Sequence, residues 1–130
     1  MLSFFAQCLF FFSCQKQAIQ TIPFRTDKPN HHIFLVHGIG GDASHFGAMA
    51  DALPLALASE SEEYNFKVHF FEYDTKNNQK SIEDFSLEMN TRIEETVGKE
   101  LSDAHKLSVV MHSQGGLIGS IWLFRSLQGL

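Results

Sequence analysis

The body of this chain has no cysteine, and this absence excludes two kinds of site. Its two cysteines, Cys8 and Cys14, both lie within the first 14 of 130 residues. No later residue can therefore form a disulfide framework or supply a thiolate to a metal ion. The seven histidines include no pair spaced four residues apart beside a carboxylate on a helix, and the adjacent His31 and His32 point to opposite faces of an extended strand. We therefore expect no metal site.

A basic cluster is also missing. The net charge is −5 at pH 7, and the longest basic feature is a scatter of Lys16, Arg25 and Lys28. Because nucleic-acid binding needs clustered Lys and Arg side chains to neutralise phosphates, we expect no nucleic-acid partner. With 44% hydrophobic and 19% charged residues, a chain of 130 residues can form one domain with its own core.

The apolar N-terminus is too short to span a membrane. Residues 2–13 are almost wholly apolar, whereas a spanning helix needs roughly 20 such residues. The segment favours a secretory signal over residues 1–14. Its end, "LFFFSCQK", resembles a bacterial lipoprotein signal in which Cys14 is lipidated. We expect an exported cell-envelope protein attached to the membrane through its N-terminus; the alternative is a cytoplasmic protein with an ordinary apolar extension.

A polar linker over residues 15–30 is predicted to precede a domain over residues 31–130. Apolar runs rich in strand formers predict strands at 32–36, 66–73 and 106–111. Apolar residues at helical spacing predict helices at 44–53, at 82–101 and after Ser113. Strands that alternate with helices imply a parallel sheet of the doubly wound α/β class.

The three helices carry local signals of their own. Pro54 is expected to end or kink the first helix, and Asp42 or Ser44 is a candidate N-cap. Ser81 with Asp84 resembles a capping box at the start of the second. The third helix is expected to bury one side, formed by Leu117, Ile118, Ile121 and Trp122.

Two glycine-rich loops each follow a strand and precede a helix, which places them at the sheet edge where ligands bind. "HSQGG" (112–116) fits the strand–turn–helix on which hydrolases present a catalytic serine, here Ser113. The N–H of Gln114 would face the oxyanion that forms when this serine attacks a carbonyl. "VHGIGG" (36–41) would supply a second N–H, from Ile39. Since the loops lie about 75 residues apart and must converge, the pair is a strong signal.

With these motifs the chain resembles the α/β-hydrolase superfamily, and within it the bacterial lipase and serine-esterase branch. "FFEYDTKNN" and "SIEDFSLEMNTRI", between the loops, are similar to the middle of esterases that act on lipid-like esters. The resemblance covers residues 33–125. It implies hydrolysis of carboxylic or lipid esters through an acyl-enzyme on Ser113, with a small-molecule or lipid ester as substrate and no cofactor. It also implies that the flanking loop residues support the site: His37, Gly38, Gly40, His112, Gly115 and Gly116.

Two features depart from the pattern of that superfamily. Its turn reads Gly-x-Ser-x-Gly, and Met111 occupies the first position here. Its acid and histidine follow the serine on later strands, and this sequence ends 17 residues after Ser113. We therefore expect a partial sheet of three strand–helix units whose C-terminal strands are missing. Because an unassisted serine hydroxyl is a weak nucleophile, we expect this chain to be inactive alone. The alternative is a non-catalytic hydrolase fragment or interaction remnant, and the oligomeric state stays open.

The first loop has a second interpretation. Residues 38–43 satisfy the dinucleotide-binding pattern G-x-G-x-x-A after a strand, and Glu72 or Asp74 could be its acidic residue. Against it, a histidine before the first glycine is typical of hydrolases, and a nucleotide site leaves "HSQGG" unexplained. The hydrolase interpretation is therefore preferred.

Overall fold

The structure is a computed structural model, and it describes residues 25–76, 79–100 and 104–129. The predicted signal segment, Cys14 and most of the linker lie outside these residues. Three parallel strands form one sheet in the order β2-β1-β3: β1 Asn30–Val36, β2 Asn65–Phe71 and β3 Lys106–Met111. In the register of the sheet, Val36 pairs with both Phe71 and Met111, so all three strands end at the same edge.

Helices connect the strands and complete the predicted α/β fold, which the structure confirms. They are α1 Met49–Glu60, α2 Ile82–Val97 and α3 Gln114–Leu127, with a short 3₁₀ helix at Ala43–Phe46. Ser81 and Asp84 form the predicted capping box at the start of α2. None of the helices in the described ranges combines the length and the apolarity that a membrane crossing requires.

The core lies between the central strand β1 and the buried side of α2. Phe34, Leu35 and Val36 of β1 have no exposed surface because both neighbouring strands and the helices cover them. The buried apolar residues of α2 recur every four positions and so form one stripe along the helix: Phe85, Met89, Ile93 and Val97. Trp122 of α3 packs against this cluster, and its Nε1–H donates to Asn90 Oδ1 of α2 at 3.1 Å.

The first helix differs from its predicted range of 44–53. Asp42 accepts a hydrogen bond from the Ser44 N–H at 2.8 Å and caps the 3₁₀ helix instead of an α-helix. Gly47 then turns the chain with a φ of +49°, and α1 begins only after it. Pro54 lies inside α1 and does not end it. A proline at this position removes only one hydrogen bond of the helix, the one to the residue four positions earlier. The remaining hydrogen bonds let the helix continue to Glu60.

The buried side of α3 also differs from the prediction. Leu117 is 60% exposed, whereas Ile118 is fully buried together with two glycines, Gly115 and Gly119. Ile121 and Trp122 are half-buried. The helix therefore approaches the sheet along its glycines, which brings its backbone closer to β1 than leucine side chains would allow.

The two sides of α2 provide a matched test of this packing. Met89→Ala removes a side chain with no exposed surface and is expected to lower the free energy of unfolding by about 2–5 kcal/mol. Leu87 lies two residues earlier and is 47% exposed, so Leu87→Ala is expected to change the free energy of unfolding by less than about 0.5 kcal/mol. Urea unfolding followed by circular dichroism measures both. Equal effects would contradict the assignment of the buried stripe.

Candidate functional site

Ser113 occupies the sharp turn between the end of β3 and the start of α3. Its φ of +55° and ψ of −122° make it the only non-glycine with a positive φ among the described residues. Such a conformation costs roughly 1–3 kcal/mol and persists only where the surrounding structure enforces it. Here the His112 N–H donates to Val36 O at 3.0 Å, and the Gly116 N–H donates to Ser113 O at 2.8 Å. A strained, exposed serine at this edge indicates a functional position.

Close backbone approach explains two of the predicted loop glycines. A Cβ atom on Gly38 would lie 2.8 Å from Ser113 Cβ, and one on Gly115 would lie 2.6 Å from the carbonyl oxygens of Val36 and His37. Gly40 is required for a different reason, since its φ is +70°. A Cβ on Gly116 would meet no atom within 4 Å, so the packing does not require glycine there. The two loops converge as their strand–loop–helix context predicted.

Tyr73, predicted from the sequence only as a strand residue, joins the two loops. Its hydroxyl lies 2.9 Å from His37 O and 3.3 Å from Gln114 Oε1, within donor reach of both. Its ring stacks on His37 with the centroids 4.5 Å apart. Burial raises the pKa of the Tyr73 hydroxyl above its ordinary value, which keeps the donor proton in place. The signal in the sequence was its position two residues after a strand, at the ligand-binding edge.

His37 is fully engaged by its neighbours and is not placed to act as a base. Its Nδ1–H donates to Gly38 O at 2.9 Å, and its Nε2 accepts the Tyr73 N–H at 3.4 Å. Only 1% of its surface is exposed. Each hydrogen bond fixes the ring orientation, so His37 holds the first loop beside the nucleophile turn.

The backbone N–H groups of Ile39 and Gln114, in the two loops that meet at Ser113, have no acceptor among the described residues. Gln114 is the first residue of α3, and the first N–H groups of a helix have no partner within it. In the first loop, the two amides that follow Ile39 are satisfied: the Gly40 N–H donates to Thr75 Oγ1 at 2.9 Å, and the Gly41 N–H donates to Gly38 O at 3.1 Å. The arrangement leaves two donors that could bind an anion or an oxyanion.

In the described part of the chain, Ser113 Oγ hydrogen-bonds to no imidazole and no carboxylate. The adjacent His112 is exposed, and its ring lies against Gly38. The nearby carboxylates already have local partners, because Asp42 accepts from Ser44 and Asp74 accepts from the Lys76 N–H at 3.0 Å. The site as described therefore has a serine and potential oxyanion donors without a general base.

Met111, the departure from the Gly-x-Ser-x-Gly pattern, lies against a glycine on α3. A Cβ on Gly119 would lie only 2.0 Å from Met111 Sδ, so the thioether occupies the space that a larger residue would fill. Met111 as a whole is 41% exposed. The turn keeps its geometry with methionine at this position because Gly119 makes room for it.

An apolar cleft of about 380 Å³ lies next to the nucleophile turn. Met111 and His112 form one side of it. The remaining lining residues come from the end of β3 and from the segment around the 3₁₀ helix: His45, Phe46, Met49 and Val110. Such a cleft can bind an uncharged apolar group beside Ser113.

The local structure does not favour the dinucleotide interpretation of the first loop. That fingerprint places pyrophosphate at the N-terminus of an α-helix that follows the glycines directly. Here a four-residue 3₁₀ helix follows them, and α1 begins only at Met49. Glu72, a candidate ribose ligand, instead accepts the Ala43 N–H at 3.0 Å.

Adjacent glycines in α3 test the close approach of this helix to β1. Gly115→Ala places a methyl group against two backbone carbonyls that cannot move independently of the sheet, so we expect a loss of about 1–3 kcal/mol of stability. Gly116→Ala meets open space and gains helix propensity, so we expect no loss. Chemical denaturation of both variants measures the difference. The close approach would be disproved if the two substitutions had the same effect.

A double-mutant cycle tests the pairing of Met111 with Gly119. We expect Met111→Gly to leave the fold intact, since the side chain is partly exposed. Gly119→Ala alone is expected to cost about 1 kcal/mol through overpacking against the thioether. In the Met111→Gly background the same substitution should be neutral or stabilising, because only the better helix propensity of alanine remains. Additive effects in thermal unfolding would show that the two residues do not interact.

Comparison with known proteins agrees with the geometry of this site. A family model described as "Putative serine esterase (DUF676)" matches residues 26–126, which include all three strands, both loops and nearly all of α3. No curated protein matches the chain significantly. No solved structure does so either. The match covers more than three quarters of the sequence, and the chain therefore belongs to this serine esterase family.

Proposed function

We propose that this protein hydrolyses carboxylic esters with Ser113 as the nucleophile. The observation that carries the proposal is the backbone of Ser113, whose φ of +55° holds its side chain exposed at the carboxyl edge of the sheet. Ser113 Oγ forms a bond to the ester carbonyl carbon, and its proton passes to the departing alcohol by way of a base. Water then cleaves the acyl-enzyme, which releases the acid and restores the serine.

We assign the oxyanion site to the N–H groups of Ile39 and Gln114. Both are free of acceptors in the described residues, and they come from the two loops that Gly38 allows to meet at Ser113. A donor that is fixed before the reaction stabilises the developing negative charge without reorganisation, and removal of one such donor typically slows catalysis by about 10²–10³-fold. Tyr73 is a positioning residue in this proposal, because it fixes His37 and Gln114.

The proposal requires a general base that the described residues do not provide. In the bacterial lipase and esterase branch, the acid and the histidine follow the serine on later strands, so a base beyond the described residues would complete the site. Without one, the hydroxyl stays protonated and reacts slowly. For this reason we expect the described residues by themselves to turn over esters poorly.

The surroundings of Ser113 favour an apolar acyl group over a charged one. Four of the six residues that line the cleft beside it are apolar and the other two are histidines, and Ile39 is 66% exposed at the same edge. These contacts support small or lipid-like esters as the substrate class. Export and lipidation at Cys14 would place the enzyme at the cell envelope, where such substrates occur, and both stay predictions.

The test uses a fluorophosphonate, in which the serine oxygen attacks phosphorus and fluoride leaves. We expect the 130-residue chain to form one adduct, slowly, and peptide mapping by mass spectrometry to place it on Ser113. Ser113→Ala is expected to lower the labelling by at least about tenfold, because it removes the attacking oxygen. Amide resonances of Ile39 and Gln114 should shift on adduct formation, since the phosphoryl oxygen mimics the oxyanion.

Ser120→Ala is the matched control for this experiment. Ser120 lies seven residues further along α3, and its hydroxyl donates to Gly116 O at 2.7 Å, so its loss should leave the labelling unchanged. An adduct that persists in Ser113→Ala, or no adduct after exhaustive reaction with folded protein, contradicts the proposal. The second outcome favours the alternative of a non-catalytic member of the family.

A further inference from the structure

A second group of polar side chains lies at the opposite edge of the sheet from Ser113. His32 comes from the start of β1, Glu100 from the turn after α2 and His105 from the residue before β3. Each offers one ligand atom, and these atoms all lie within 4.8 Å of one another. His32 is four residues from the end of β1, roughly 13 Å along the strand. The group is therefore separate from the nucleophile turn.

We propose that His32, Glu100 and His105 form a binding site for a divalent transition-metal ion of the Zn²⁺ class. Two imidazole nitrogens and one carboxylate oxygen are a donor set that such ions prefer, whereas Mg²⁺ and Ca²⁺ prefer oxygen ligands. Ligand atoms of a tetrahedral ion lie about 3.3 Å apart when the bonds are about 2.0–2.1 Å long. His32 Nε2 and Glu100 Oε2 are 2.9 Å apart, and no two ligand atoms are more than 4.8 Å apart, so movements of up to about 1.5 Å bring the set to this spacing.

Asn30 supplies an independent observation at the same place. Its side chain is 93% buried, and its Oδ1 has no hydrogen-bond partner among the described residues. Its Nδ2 donates to Glu100 Oε2 at 2.6 Å, so the amide adjoins the proposed site. A half-turn of this amide, which would break its hydrogen bond to Glu100 and leave Nδ2 in the place of the unpartnered oxygen, would direct Oδ1 to the ion as a fourth ligand.

His69 gives His32 the kind of support that metal-bound histidines have. His69 Nε2 lies 3.0 Å from His32 Nδ1, and the two rings stack with centroids 5.2 Å apart. When an ion binds His32 Nε2, the ring proton moves to Nδ1 and is donated to His69 Nε2, whose own proton moves to the other ring nitrogen. Such a bond fixes the tautomer and orientation of the ligand. His69 is thus a positioning residue for the site.

Two existing contacts would have to yield to an ion that binds Glu100 Oε2 and His105 Nδ1. Lys67 Nζ lies 3.5 Å from Glu100 Oε2, and the Asn30 N–H donates to His105 Nδ1 at 3.0 Å. The Lys67 side chain is one-third exposed, and its flexible stem can carry the ammonium into water. Because the Lys67 ammonium already neutralises part of the charge of the Glu100 carboxylate, Lys67→Met should tighten metal binding.

A metal ion here would join three parts of the fold. It would connect the start of β1 to the turn after α2 and to the residue before β3. These three parts lie at the edge of the sheet opposite Ser113. We therefore expect the ion to stabilise the protein by binding only the folded state. The proposal does not depend on the esterase activity.

The experiment titrates the full chain with Zn²⁺ by calorimetry, in a Cys8→Ser/Cys14→Ser background so that no thiolate takes up the ion. We expect one equivalent to bind, a rise in Tm, and no comparable effect of Mg²⁺. Co²⁺ in place of Zn²⁺ should give the absorption of a four-coordinate nitrogen and oxygen site. Glu100→Gln and His105→Gln are expected to weaken Zn²⁺ binding by at least about tenfold, and His69→Gln by about 10–100-fold.

His45→Gln is the control, because His45 is an exposed histidine at the opposite edge and its loss should not change the affinity. Glu100 lies outside the core, with 40% of its side chain exposed, so Glu100→Gln should fold even if variants of buried His32 do not. The proposal is wrong if Zn²⁺ shows no saturable binding, or if Glu100→Gln binds it as tightly as the parent chain.

Discussion

The start of α3 lies almost in contact with the backbone at the end of β1, and the geometry of the site depends on that approach. With glycine at position 115, the carbonyl oxygens of Val36 and His37 can come within 2.6 Å of where a Cβ would be. The His112 N–H bonds to Val36 O, and the chain must reverse within the next residue to enter the helix. The positive φ of Ser113 lies at this reversal.

The same approach positions the first loop. Gly38 has to be small because the turn at Ser113 occupies the adjoining space, and His37 has to be held because its carbonyl faces Gly115. Tyr73 does this by stacking on the His37 ring and by bonding to its carbonyl oxygen. The core of α2 supports Tyr73 in turn, since the rings of Tyr73 and Phe85 are 4.8 Å apart. The packing of the core and the geometry of the site are therefore one connected structure.

Local patterns predicted the elements well where neighbouring residues decide the outcome. The third strand was predicted at 106–111 and is observed there, and the capping box of Ser81 and Asp84 formed as expected. The first helix was misplaced because Asp42 caps a 3₁₀ helix, a choice between two local hydrogen-bond patterns that helical spacing cannot distinguish. The convergence of the two loops was predictable, since parallel strands that end together bring their loops together.

What the sequence could not predict were contacts between residues far apart in the chain. Tyr73 looked like one more strand aromatic, and its bonds to His37 and Gln114 depend on the order of the strands. His32 and Glu100 are 68 residues apart, so a search for ligand pairs on one helix could not have found them. That search predicted no metal site, whereas the fold brings a donor set together at the edge remote from Ser113.

The contact between Met111 and Gly119 has a consequence for how proteins of this kind are identified. The nucleophile turn needs space between the strand and the helix for the residue at the first position of the motif. Here that residue is Met111, and Gly119, eight residues later on the helix, leaves the space. Residue identities at these two positions should therefore covary among relatives, a large residue at one accompanying a small residue at the other. A search that requires glycine at the first position of the motif overlooks chains in which the small residue lies instead in the second turn of the helix.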